Sequence, residues 1–155
     1  TEVLLKALTN RGTEGLDYCE GMWAFALFNK NDGSLTLSRD RFGEKPLYIY
    51  KDSEGTYFGS EVKFILALLG KKLELNKDQM HRFLINGFKS VYKVNDTFYK
   101  GIYELKPATS LRILSNGAEK NTTFWKPKFC PNNDMTYNEA VEGVNVPIAV
   151  GGEVS

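Results

Sequence analysis

The chain has 155 residues, 42% apolar and 25% charged, with a formal net charge of +1. That length suffices for one domain with its own core, and the near-neutral charge excludes the basic footprint of a nucleic-acid or anionic-membrane binder. No apolar run approaches the ~20 residues of a membrane-spanning helix, and the sequence has neither a secretory signal pattern nor an initiator Met, so a piece of a longer cytoplasmic protein is expected.

Residues 1–8 read as a helix, with Val3, Leu4 and Leu5 supplying its apolar surface and residues 9–12 ending it. Residues 21–28 are apolar nearly throughout, which predicts a strand buried on both faces. A turn over 29–33 then leads to a returning strand at 34–38, where Leu35 and Leu37 alternate with polar residues. Residues 47–50 and 56–58 form a second pair around the turn at 52–55. Ser60 is placed to cap a helix reaching Leu69, with Val62, Ile65, Leu66 and Leu69 at helical spacing and Gly70 as its stop. Asn76 is placed to cap another, through Met80, Phe83 and Leu84 to Asn86.

Further on, residues 110–114 and 121–125 read as strands joined through the turn at 115–117. Thr136 and Glu139 have the spacing of a capping box, which starts a last helix. Strands, then helices, then strands again imply an α+β or layered αββα arrangement rather than a doubly wound sheet.

The richest stretch is Arg39-Asp40-Arg41-Phe42-Gly43-Glu44-Lys45-Pro46-Leu47-Tyr48. It sets two arginines, two acids and a lysine between apolar strand-like runs, more charge than a plain reversal requires. Arg39 or Arg41 is able to hold Asp40 in a two-bond fork. Gly43 permits positive φ or close backbone approach, and Pro46 fixes the exit angle. A solvated charged hairpin is the alternative reading of the same residues.

Cys19 and Cys130 are far apart and lack metal-ligand spacing. Cys19 is expected to pack as a small apolar residue, Cys130 to be a loop thiol, and His81 to be solvated on its helix. No protein-built metal site is expected.

The decapeptide resembles the RDRFGxKPLYY motif in the glutaminase domain of asparagine synthetases and related class II glutamine amidotransferases. Other stretches fit that family in the same order. TEVLL at 1–5 is similar to the end of its SDTEVLL stretch, GMWAFAL at 21–27 to its GMFAFAL strand, and FGSEVK at 58–63 to its FASEIKAL segment. TFYKGI at 97–102, followed by Leu105-Lys106-Pro107, is similar to its TxFxGIxxLxPG segment. The resemblance covers residues 1–127 as the later portion of the glutaminase domain, and implies the four-layer αββα sandwich of the N-terminal-nucleophile hydrolases.

The resemblance implies glutamine hydrolysis by an N-terminal cysteine whose α-amine is its base. Ammonia would then pass to a synthetase domain that activates a carboxylate, aspartate first among them, with ATP and magnesium. The Cys nucleophile, oxyanion asparagine and substrate clamp are all expected upstream of Thr1, so no catalytic residue is assigned within the chain. Alone, it is expected to bind no cofactor and to be inactive.

Arg39, Asp40, Arg41 and Gly43 are expected to support the glutamine site and the start of the ammonia path, or else to form a loop-stabilising ion network. Lys45 is expected to face the partner domain. Ser60 and Glu61 offer the same choice between a helix start and support of the decapeptide. Residues 128–144 read as a linker and the start of a helix. Residues 145–155 resemble a shortened form of the DVPIA strand and SGGxDS loop of the synthetase domain, with Gly151, Gly152 and Ser155 as a remnant of the ATP loop. A Gly-Gly pair in a tail is the alternative there.

The acceptor stays open. A relative acting on a sugar, a peptide or an antibiotic precursor is one alternative, and a non-catalytic scaffold of the same fold is another. The partners implied are glutamine, an acceptor carboxylate, the chain's own synthetase domain and, as an option, a second copy; nucleic acid and membrane are not among them.

Overall fold

The computed structural model describes residues 2–88, 94–129, 131 and 134–145. Helix α1 (Glu2–Arg11) carries an acid in its first turn and Arg11 in its last, both favourable to its dipole. A 3-10 segment, Gly12–Tyr18, follows it. Then come β1 (Ala24–Asn29), β2 (Ser34–Arg39), β3 (Tyr48–Lys51) and β4 (Thr56–Gly59), the helices α2 (Val62–Leu69) and α3 (Lys77–Asn86), the strands β5 (Ile102–Glu104), β6 (Thr109–Ile113) and β7 (Glu119–Thr123), and α4 (Tyr137–Asn145).

The strands make two antiparallel sheets, one in the order β1-β2-β6-β7 and one in the order β4-β3-β5. Leu37 lies opposite Ala26 on one side and Leu111 on the other, so these three share a face. Leu37 and Leu111 join Leu47, Ile49 and Leu105 in the buried core, with Phe58 and Tyr103 packed against it. The core therefore lies between the sheets. Burying each such aliphatic side chain stabilises the fold by roughly 1.5–3 kcal/mol.

The alternate residues of β2, Ser34, Thr36 and Ser38, are buried on the opposite face. There Thr36 and Leu27 line a cleft together with Leu8 of α1. On the far side α2 packs on β4 and β3 and buries Ile65 completely. Helix, sheet, sheet and helix form the four layers the sequence implied.

Several elements differ from expectation. Among the described residues β1 pairs only with β2 and lies at the sheet's edge, so its apolar residues are half-covered at best, and Phe28 is 60% exposed rather than buried on both faces. β7 begins two residues earlier than the apolar pattern suggested, because the tight turn with Leu114 N–H bonded to the Ala118 carbonyl forces pairing from Ile113 and Glu119 onward. The three-residue β5 is too short to alternate visibly. Asn145, expected to open a strand, ends α4 instead, because the Thr136–Glu139 capping box launches a helix that runs through it.

Candidate functional site

The Arg39–Lys45 loop leaves the end of β2, where strand alternation turns Arg39 toward the space between the sheets, on the side of Leu37. Arg39 is 7% exposed, and each of its three guanidinium nitrogens is hydrogen-bonded. Its Nε donates to the Lys45 carbonyl at 2.7 Å, Nη1 to the Leu105 carbonyl at 2.8 Å, and Nη2 to the Gly43 carbonyl. Nη2 also pairs with Glu104 Oε1 at 2.9 Å. One planar guanidinium thus ties the loop to β5 and to the chain just after it.

Asp40 collects the complementary groups. Its carboxylate accepts backbone N–H groups from Trp23 at 3.2 Å, Phe42 at 3.1 Å, Glu44 at 3.0 Å and Lys45 at 3.1 Å. Burial alone would raise its pKa, but the four N–H donors outweigh that and hold it below the ordinary carboxylate value. The Asp40 carbonyl in turn accepts from the Gly43 and Ala108 amides. Arg39 takes the loop's carbonyls and Asp40 takes its amides.

The fork between Asp40 and a neighbouring arginine is not formed. Asp40 is saturated by backbone donors, Arg39 spends its charge on Glu104, and Arg41 points elsewhere. Arg41 donates to the Asp17 carbonyl at 2.6 Å, approaches Glu20 at 3.5 Å and lies over the Trp125 ring at 5.7 Å. Phe42 meets the same ring edge-on at 5.2 Å and remains 71% exposed. Gly43 has φ +68°, and a Cβ there would sit 2.8 Å from Arg39 Cζ and 2.9 Å from Pro107 Cγ. Only glycine fits.

Among the described residues no hydrogen bond or ion pair links the Ser60 or Glu61 side chain to this loop. Glu61, not Ser60, occupies the cap position of α2, without a side-chain cap bond, and it pairs with the exposed Lys63 at 2.6 Å. The extended backbone at Glu61 delays the helix by one residue, which leaves Ser60 exposed. Asn76 caps α3 as read, accepting the Gln79 amide at 3.1 Å. Lys45 is exposed. Cys19 is half-buried at the end of the 3-10 segment, its Sγ 3.5 Å from the Gly15 carbonyl. His81 is exposed on α3. Cys130, Gly151, Gly152 and Ser155 lie outside the described residues.

Beside the loop is a cavity of about 490 Å³, walled by Arg39 and Glu104, by Tyr48 and Val62, and by Asp96 and Phe98. Sequence reasoning missed Glu104, whose only signal is its place just before the Leu105-Lys106-Pro107 stretch. An acid held ionised by four donors is a poor proton acceptor, and a guanidinium does not titrate. Neither Arg39 nor Asp40 is thus suited to transferring protons. Among the described residues no three His, Cys, Asp or Glu side chains converge as a metal site, and no helix is long and apolar enough to cross a membrane.

Comparison with known proteins accords with this framework. Residues 1–125 match the family described as glutamine amidotransferase domain. The chain is 39% identical over 114 residues to a putative asparagine synthetase [glutamine-hydrolyzing] 2 of Methanocaldococcus jannaschii, covering 72% of this chain and 21% of that protein. It is 30% identical over 131 residues to asparagine synthetase [glutamine-hydrolyzing] 1 of Bacillus subtilis, covering 84% and 20% respectively. It thus spans about a fifth of the length of these relatives. The fold matches the glutamine phosphoribosylpyrophosphate amidotransferase of B. subtilis with a TM-score of 0.53 at 18% identity, over 82% of this chain and 23% of that one. With the two sheets, the interlocked loop and the match over residues 1–125 in agreement, the chain belongs to the glutamine amidotransferase domain family.

Proposed function

We propose that this chain is part of a glutamine-dependent amidotransferase of the asparagine synthetase type. In that reading glutamine hydrolysis supplies ammonia to an ATP-activated carboxylate, with aspartate the first candidate, in the cytoplasm. The observation that carries it is the Arg39–Asp40 loop, in which Arg39 takes the Gly43 and Lys45 carbonyls and the Asp40 carboxylate takes the Phe42, Glu44 and Lys45 amides. Such rigidity is what a site requires of the groups behind it.

Within this reading residues 1–127 belong to the glutaminase domain, 128–144 link it onward, and 145–155 begin the synthetase domain. Arg39 and Asp40 are positioning residues: they fix the loop against which the glutamine site and the ammonia path are built. Gly43 makes that fixation sterically possible, and Arg41 anchors the loop to the 3-10 segment and Trp125. Lys45, exposed at the loop's end, faces the synthetase domain. The thiol nucleophile and its base are supplied by other residues of the full-length protein, so the 155-residue chain alone is inactive. ATP and magnesium belong to the synthetase domain, and no described residue is assigned to either.

The test is a glutaminase assay on the full-length protein carrying Arg39→Ala, run with and without ATP and aspartate, beside a thermal melt. The reading expects glutamine turnover to fall at least about tenfold, the scale set by misplacing positioned groups. It further expects Arg39→Lys to recover part of the melting temperature but little of the rate. An unchanged rate with a normal melt would overturn the functional role of the loop. Turnover that responds to a sugar or peptide acceptor and not to aspartate would move the assignment to another amidotransferase of the family.

A further inference from the structure

A second cleft lies on the opposite face of the first sheet, between that sheet and the junction of α1 with the 3-10 segment. Its volume is about 380 Å³, at the small end of the range for sites that hold small molecules. Arg11, Glu14, Thr36, Arg112 and the apolar pair Leu8 and Leu27 line it. We infer that this cleft binds an aliphatic α-amino acid in its zwitterionic form.

The charges are arranged for a ligand that carries both signs. Arg11 lies over the Tyr18 ring, 4.9 Å from its centroid, and has no carboxylate partner among the described residues. Arg112 is held by Asp32 at 2.7 Å and by the Ser34 hydroxyl, through Nη2 and Nε, so its Nη1 is left to donate. Two guanidiniums around one cleft suit a carboxylate. Glu14, also without an ion pair among the described residues, lines the same cleft and suits an ammonium.

A simple anion would leave Glu14 as a repulsive neighbour, and a simple cation would face two arginines. A zwitterion satisfies both sets. Thr36 supplies the independent pointer. It is 8% exposed, lines the cleft, and its hydroxyl has no partner among the described residues. The hydroxyl itself stays open to the cleft, so its donor and acceptor are left for a bound group. Leu8, itself 8% exposed, and Leu27 offer an apolar wall for the ligand's side chain.

The experiment titrates the isotopically labelled 155-residue chain with three probes and follows the amide resonances of Thr13 and Thr36. L-Leucine carries both charges, 4-methylpentanoate only the carboxylate, and isopentylamine only the ammonium. L-Leucine is expected to give saturable shifts, and each half-ligand to bind about tenfold more weakly, the loss set by one charged contact. Arg11 is exposed, so Arg11→Gln is expected to leave the fold intact by circular dichroism while weakening L-leucine about tenfold. Thr36→Val, which preserves shape, is expected to weaken it by a smaller factor. The inference is overturned if L-leucine gives no saturable change, if 4-methylpentanoate binds as well as L-leucine, or if Arg11→Gln binds L-leucine undiminished.

Discussion

Asp40 and Trp23 exchange two hydrogen bonds: the Asp40 amide donates to the Trp23 carbonyl at 2.9 Å, and the Trp23 amide donates to Asp40 Oδ2 at 3.2 Å. The first extends the β1–β2 ladder by one step. The second brings the side chain of a loop residue into the ladder. The Arg39–Lys45 loop and β1 are therefore one cooperative unit, and a change to the Asp40 carboxylate is felt in both.

Asp40→Ala should accordingly be among the most destabilising polar substitutions in the chain. It strands four backbone N–H groups, and a loss of about 3 kcal/mol is expected from unsatisfied donors and lost charged acceptors. Urea unfolding followed by far-UV circular dichroism measures it. A loss below about 1 kcal/mol would mean that water replaces the carboxylate at little cost.

The same carboxylate gives the acid limb of stability a defined sign. Burial raises the Asp40 pKa, the four donors lower it by more, and the folded value ends below the ordinary 3.8. The unfolded chain then binds more protons than the native one as pH drops through that region. Stability from Asp40 is full above the unfolded value and is lost as pH falls through the lower folded value. Asp40→Asn should flatten that limb, as judged by melting temperature against pH from 6 down to about 2.5.

Gly43→Ala should destabilise by about 2–4 kcal/mol, from the positive φ and from overpacking. The added methyl meets Arg39 Cζ at 2.8 Å and Pro107 Cγ at 2.9 Å, neither of which is a free side-chain end. Unfolding free energies of the two proteins compare directly. An effect under about 1 kcal/mol would show that the ring and the guanidinium yield easily.

Arg39 and Glu104 should couple in a double-mutant cycle. Arg39→Ala leaves three carbonyls and one half-buried acid without their partner, and about 3–5 kcal/mol is expected. In the Glu104→Gln background the cost should fall by roughly 1–2 kcal/mol, because one stranded charge is gone. Strict additivity would assign the whole effect to the carbonyls.

The helix starts give a contrasting pair. Asn76→Ala should cost about 1 kcal/mol, since its side chain accepts the Gln79 amide at 3.1 Å. Ser60→Ala should change stability by less than about 0.5 kcal/mol, since Ser60 stands one residue before the cap position and is exposed. Thermal melts of both variants decide it.

Much of the frame was legible because it rests on local periodicity. Leu35 and Leu37 announced β2, the apolar spacing of α2 gave its buried face, and Asn76 and Thr136 with Glu139 marked helix starts that form as read. What failed depended on neighbours far along the chain. The apolar run of β1 looks the same whether the strand is central or at an edge, and nothing within the run reports that β2 is its single partner among the described residues. The arginine-acid logic was sound in kind but wrong in pairing, because Arg39 reaches Glu104 across 65 residues, a choice made by the packing of two sheets. Gly43 was read as permitting positive φ or close backbone approach, and the structure shows both, with Arg39 and Pro107 as the close neighbours.

The meshing of Gly43, Arg39 and Pro107 also bears on how this loop can change over time. Each of the three fills the space the others leave. A side chain at 43 becomes tolerable only after Arg39 shrinks, and that step first strands the carbonyls of Gly43, Lys45 and Leu105. Single replacements thus run through a poorly folded intermediate in either order. The trio should drift only in concert, and libraries that redesign the loop should vary these three positions together.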